Sequence, residues 1–338
     1  MKKAIVLLMI FFILFSVNGQ DIHFSQYKMA PVLINPAQAG FCFAKLRVTA
    51  NHRSQWRAVS VPFNTFSLST DFKIFQDRRA RNLIGGALST YYDNAGDSKF
   101  GTTSAGFALS YLLAVNDYHN HYIGFGASGS YNDRSYDYSL LVFGNQFNGE
   151  RFDANLYNGE NFLNRGFTYP DYNAGVHWFY RPDQDNAFDA GIVVSHINRP
   201  PQSMMDDTDV RLDRKFTFYF NAEVTQANKR ILNPGLYIAR QGPYTEIIAG
   251  SMMTLNEFST GHGLSNLQAG LFFRPVDAAI LIFNFDYHNI TFGISYDINY
   301  SSLRPASTFR GGFELSALYM VQKKKKKKIK NIPCPDPF

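Results

Sequence analysis

Between Ile290 and Tyr300 the chain reads ITFGISYDINY: Ile290, Phe292, Ile294, Tyr296, Ile298 and Tyr300 are apolar or aromatic, and the residues between them are small or polar. Neighbouring side chains of a strand point to opposite faces, so this run makes a strand with one apolar face and one polar face. Such a strand suits a wall between lipid and a polar lumen. The same alternation recurs in about fourteen segments, with a range of roughly twelve to sixteen, an even count being the rule for bacterial barrels. They begin near Ala44, Phe63, Asn82, Phe100, His119, Asp171, Ala187, Lys215, Ile231, Tyr244, Ser265, Asp277, Asn289 and Arg310. The expected fold is all-β, a transmembrane antiparallel outer-membrane β-barrel over residues 44–322.

Composition agrees. Aromatic residues make up 16% of the chain and charged residues 18%, with a mean hydropathy of −0.21, so the chain is rich in rings without long apolar blocks. A helical membrane protein would show such blocks, and a disordered chain would lack the rings. A soluble β-sandwich or propeller also has many short strands. Against it stand the strand length and the aromatics near strand ends (Tyr91 and Tyr92, Trp178 and Tyr180, Tyr287), where amphipathic rings favour the lipid boundary.

The connections test the count, because a barrel starting in the periplasm has short turns after even strands and longer loops after odd ones. Asn116 to Tyr118, Arg181 to Asn186, Ala227 to Arg230 and the break near His288 are expected to be periplasmic. The long Asn132 to Pro170 and the acidic Asn198 to Arg214 are expected outside. Gln241 to Gly242 and Arg274 to Val276 are short where a long loop is expected, as one miscounted hairpin would explain.

The chain opens with Lys2 and Lys3, an apolar run from Ala4 to Phe15 and the small residues near Gly19, the pattern of a secretory signal peptide over 1–19. Residues 20–43 then form an N-terminal periplasmic or plug segment, DIHFSQYKMAPVLINPAQAG from Asp21 to Gly40. Pro31 and Pro36 interrupt it too often for a long helix, yet its apolar content exceeds that of a linker, so it is expected to dock on something. Cys42 and Cys334 permit one disulfide or two free thiols.

The formal net charge of +6 comes from the ends. Lys2 and Lys3 sit in the leader and seven lysines lie between Lys323 and Lys330, leaving a slightly acidic body that does not suit nucleic acid. The basic, proline-rich tail 323–338 is either a solvated stop or a periplasmic contact for an acidic partner or anionic headgroups.

Several stretches imitate chemistry. Gly124 to Gly129 (GFGASG) matches the dinucleotide pattern but no helix follows, so its glycines are read as room in a crowded wall. His119 and His121 share a strand face without a third ligand, and Asp206, Asp207, Asp209 and Asp213 lack the glycine and glutamate of a calcium loop. No G-x-S-x-G elbow exists. No catalytic, cofactor-binding or metal-binding residue is therefore assigned.

F-S-Q-Y at Phe24 to Tyr27, N-P-A-x-A-G at Asn35 to Gly40, R-x-x-W at Arg53 to Trp56, Y-D-I-N-x-S-x-L at Tyr296 to Leu303, F-E-L-S at Phe313 to Ser316 and the terminal C-P occur in this order. Together they resemble the PorP/SprF family of type IX secretion and gliding machinery. Gln38 stands where that family usually shows an aromatic, and the poly-lysine run is not a family feature. The resemblance implies a non-enzymatic, multi-pass outer-membrane barrel that supports export or surface attachment of a large secreted surface protein, or anchors periplasmic secretion proteins. Candidate partner contacts are Phe24, Gln26, Tyr27, Asn35, Pro36, Lys323, Lys324 and Lys325. The alternatives are an outer-membrane porin for a small solute and a lipid-acting hydrolase with dispersed residues.

Overall fold

The computed structural model describes residues 21–321 except 43, 58, 78–80, 119, 160–165, 205–206, 228–229, 261–262 and 302–303. The expected signal peptide 1–19 and the expected tail 323–338, with Lys323, Lys324, Lys325 and Cys334, lie outside the described residues. One half of the wall comprises β1 (Leu46–Gln55), β2 (Phe63–Gln76), β3 (Asn82–Ala95), β4 (Phe100–Ala114), β5 (His121–Ser135), β6 (Gly166–Tyr180) and β7 (Asn186–Ser195). The other comprises β8 (Lys215–Thr225), β9 (Ile231–Gln241), β10 (Tyr244–Thr260), β11 (Gly263–Arg274), β12 (Ala278–Tyr287), β13 (Ile290–Asn299) and β14 (Arg310–Val321). Each strand pairs antiparallel with its sequence neighbours, and β1 pairs with β14 from Leu46 opposite Val321 to Ser54 opposite Phe313. Closure leaves no strand edge unpaired.

Period-two patterning places each face. On β13, Phe292, Ile294 and Tyr296 project outward, whereas Gly293, Ser295 and Asp297 are buried in the lumen. On β4, Phe107, Leu109, Tyr111 and Leu113 face out, and Thr102, Ser104, Ala108, Ser110 and Leu112 face in. The start of β1 and the end of β14 share one rim, the inner one, where turns such as 288–289 are short. The outer rim carries the long connections 136–165 and 196–214.

Three expectations are corrected. The long outer loop spans 136–165, because β5 runs on to Ser135 and β6 begins at Gly166, with Pro170 opposite Tyr131 inside the ladder. Pro170 has no N–H to give, but its side chain faces outward and its carbonyl accepts from the Asn198 side chain at 2.8 Å. The short outer turns are real and the count of fourteen stands: Gly242 (φ 53°) and Val276 (φ 67°) take left-handed conformations that reverse the chain in a few residues. Tyr91 does not join a lipid-boundary girdle. It is adjacent to the exposed Tyr92 on β3, so it must face the lumen.

Candidate functional site in the filled lumen

Residues 21–41 lie inside the barrel. They enter at the outer rim, where the Asp21 amide donates to Gln241 Oε1 (3.1 Å) at the end of β9. They leave at the inner rim, where the Gly40 amide donates to Asp71 Oδ2 (2.9 Å) on β2. The prolines restrict the path to three single turns, Tyr27–Met29, Pro31–Ile34 and Pro36–Gln38. Asn35 makes the last of these possible: its Oδ1 caps the Ala37 amide (2.9 Å), and its Nδ2 donates to Val176 O and Tyr219 Oη, each at 3.0 Å.

Two contacts with the wall divide the lumen into apolar zones. Tyr27 and Ile34 pack with Tyr219, Tyr237, Ile248, Met252, Phe272, Ile280 and Ile282, which project from β8 to β12. On the opposite side Val32 and Ala39 meet Ala87 and Ala108 of β3 and β4. Here the wall has no room for larger groups. A Cβ on Gly126 would strike the backbone of Pro36 and Ala37, and one on Gly85 would strike the Ala39 carbonyl. The glycines of the dinucleotide-like stretch are thus partly a seat for the plug, and the stretch lies wholly on β5.

The outer half of the lumen carries an ion cluster whose members come from β1, β10, β11, β13, β14 and the turn after β11. Arg53 pairs with Asp297 (2.8 Å) and Glu314 (2.9 Å), and Arg274 pairs with Glu246 (3.1 Å), Asp277 (2.8 Å) and Asp297 (3.3 Å). The plug closes it. The Ser25 and Gln26 amides donate to the two oxygens of Glu314 at 2.8 and 2.9 Å, and Ser25 Oγ accepts from Arg53 and Arg274 while donating to Asp297. Arg53, Asp297 and Glu314 are each at most 2% exposed, so their charges are matched by one another and by plug amides instead of water.

Ser25, Arg53, Asp297 and Glu314 come from the F-S-Q-Y, R-x-x-W, Y-D-I-N and F-E-L-S motifs, two near the start of the chain and two near its end, and meet at one point. The model of the type IX secretion system membrane protein PorP/SprF family matches residues 16–319. The chain belongs to that family. No curated protein matches it. Similar solved structures include the Ralstonia pickettii toluene transporter TbuX, at 8% identity over 88% of this chain and 94% of that one (TM-score 0.49). The Pseudomonas putida toluene transporter TodX is another, at 11% identity over 86% and 92% (TM-score 0.44). Likenesses this distant say nothing of what a wall admits.

This PorP/SprF protein is an outer-membrane barrel of the type IX secretion system, and its family and fold are those of secretion and membrane barrels, not of enzymes. The expected contact residues Phe24, Gln26, Tyr27, Asn35 and Pro36 are all buried within the barrel. Gln26 uses its amide on Glu314, Tyr27 donates to Asn221 (2.7 Å), and Gln38, the departure from the family pattern, donates to Tyr219 Oη (2.5 Å). Contact between these side chains and a second protein therefore requires the plug to move. The cluster residues Arg53, Arg274, Asp297 and Glu314 were missed as a site by pattern reading; their signal was the presence of charge on the lumen-facing side of otherwise alternating strands. His119 and Asp206 lie outside the described residues, while His121 accepts from Trp178 Nε1 (2.8 Å) and Asp213 pairs with Arg199 (3.3 Å).

The plug's outer end is held by charge. Burial works against protonation of His196, but Asp171 (2.9 Å) and Asp21 (3.5 Å) outweigh it and push the imidazole from 6.5 up to about 9. Burial likewise opposes the charge on Asp21, yet Lys215 (3.3 Å) and His196 hold its carboxyl well below the usual range. The raised pKa of His196 contributes stability that is complete below pH 6.5 and disappears as pH climbs through about 9. The depressed pKa of Asp21 contributes above pH 3.8 and is lost only in strong acid. Hydrogen exchange at the Asp21 amide is therefore expected to accelerate by roughly tenfold beyond its intrinsic base dependence as His196 deprotonates. His196→Gln should abolish that extra step.

Proposed function

We propose that this PorP/SprF protein is a closed scaffold of type IX secretion, holding secretion components and cargo at the outer membrane without conducting solute through its lumen. The observation that supports this reading is the plug: residues 21–41 cross the lumen from outer to inner rim and are tied to both ends of the wall. The spaces beside it include pockets of about 270, 180, 120 and 100 Å³, each lined in part by plug residues. In this reading the outer connections 136–165 and 196–214 grip a secreted surface protein, and the inner turns with the basic tail at Lys323, Lys324 and Lys325 meet acidic surfaces of periplasmic components. The plug residues Phe24, Gln26, Tyr27, Asn35 and Pro36 serve by shaping the closed lumen. No step of this role asks for a nucleophile or a cofactor.

A tag placed after Phe338 and a mild-detergent pull-down from outer membranes test the reading. Periplasmic secretion proteins or one large surface protein should co-purify, and deleting both outer connections from a barrel that still assembles should release the surface protein. Recovery of the barrel alone, or cargo retention unchanged by the deletion, would contradict it.

A further inference from the structure

On the lipid-facing side of β8 and β9, two apolar runs end in arginine at the outer rim. Phe220, Phe218 and Phe216 project outward from β8, opposite Leu236, Ile238 and Arg240 on β9. Lys215 and Gln241, the next pair towards the rim, turn into the lumen and meet Asp21 there. Arg214, two residues beyond Phe216, therefore falls on the outward face with Arg240, and both are exposed. The two are diagonal neighbours across the strand pair, a spacing of about 7–8 Å between Cα atoms. Because the strands run in opposite directions, one arginine precedes its apolar run in sequence and the other follows it, yet both reach the same boundary.

No carboxylate of the wall answers this pair. The flanking outward positions are Ile192 and Val194 on β7 and Thr245 and Ile247 on β10. Asp213, next to Arg214 in sequence, lines the lumen at the outer rim and pairs with Arg199 (3.3 Å). Among the described residues neither Arg214 nor Arg240 forms an ion pair; Arg214 Nε donates to the Ile197 carbonyl (3.3 Å) at the start of the connection 196–214. On a lipid-facing wall an arginine is tolerated at headgroup level, where its stem lies along apolar surface and its guanidinium reaches the polar layer. Phe216 and Phe218 continue the same surface into the hydrocarbon. The occupant that fits is thus anionic at its outer end and apolar below. A planar guanidinium meets phosphate oxygens with two parallel N–H donors, which favours phosphate as that anion.

We propose that Arg214 and Arg240 form a binding site for a phosphate of the outer-leaflet glycolipid, lipopolysaccharide, whose acyl chains lie on Phe216, Phe218 and Ile238. Because Arg214 also holds Ile197, the bound lipid fastens the base of the connection 196–214 to the membrane surface. This role is independent of cargo and of whether the lumen conducts.

The test uses the full-length barrel, stripped of lipid by detergent exchange, and native mass spectrometry during titration with lipid A carrying two phosphates. Chemically dephosphorylated lipid A is titrated alongside, and inorganic phosphate and poly-aspartate serve as competitors. Phosphorylated lipid A should bind at least tenfold more tightly than the dephosphorylated form. Arg214→Gln combined with Arg240→Gln should weaken it by at least tenfold, whereas Lys45→Gln combined with Arg81→Gln, which removes two exposed charges at the inner rim, should leave it within twofold. If the outer double variant fails to fold, as judged by heat-modifiable gel mobility, Arg240→Gln alone takes its place with an expected loss of at least threefold. Absence of binding, equal binding of the two lipid A forms, or binding unchanged by the outer substitutions would overturn the proposal, as would an equal loss in the inner-rim variant. Displacement of lipid A by an equimolar amount of phosphate or poly-aspartate would also overturn it, by marking a surface for free anions or acidic proteins.

Discussion

Arg53→Met is expected to lower the stability of the folded barrel by about 3–5 kcal/mol, the usual cost of removing one partner from a buried ion pair. The reason lies in what remains. Among the described residues Arg53 is the cation paired with Glu314, which is fully buried, whereas Asp297 keeps Arg274 at 3.3 Å. Methionine fills much of the same space but leaves the Glu314 carboxylate with the Ser25 and Gln26 amides and no counter-charge. Replacing both partners, Arg53→Met with Glu314→Leu, removes the stranded charge and should recover a large part of the loss. Urea unfolding in lipid vesicles measures both. A single substitution costing under about 1 kcal/mol would show that the cluster does not fasten the plug to the wall.

The second large effect contrasts two glycines three residues apart on β5. Gly126→Val is expected to cost about 3 kcal/mol and to unseat residues 35–41, because the new carbons occupy the space of the Pro36 and Ala37 backbone, which has no rotamer to yield. Gly129→Val faces the other way, where an added Cβ meets the Tyr172 ring at an ordinary 3.5 Å, and should change stability by less than about 1 kcal/mol. Limited proteolysis supplies the second readout. The plug should become cleavable in the first variant and stay protected in the second. Equal protection in both would mean that the plug and wall are not in the tight contact described.

Much of the wall was legible because alternation is a local signal. Most expected strand starts lie within two residues of the observed ones, and Phe63, Asn82, Phe100, Lys215, Ile231, Tyr244 and Arg310 coincide. The start of β6 was missed, since Pro170 reads as a break in one dimension and as an outward-facing strand residue in three. The plug's course was hidden for a different reason. Residues 21–41 have neither helical nor strand periodicity, and their positions are set by contacts such as Tyr27 with Asn221 or Asn35 with Tyr219, which lie 194 and 184 positions away. The same holds for the cluster: Ser25, Arg53, Asp297 and Glu314 were visible as pieces of a family resemblance, but only closure of β1 on β14 brings them together.

Ion conductance of the unmodified protein in planar bilayers tests the central claim most directly. A lumen crossed by residues 21–41 and tied at Gln241 and Asp71 should give no stable current steps, and deleting 22–39 should create them. Discrete, long-lived steps from the intact protein would contradict the closed scaffold and make a solute channel the better account.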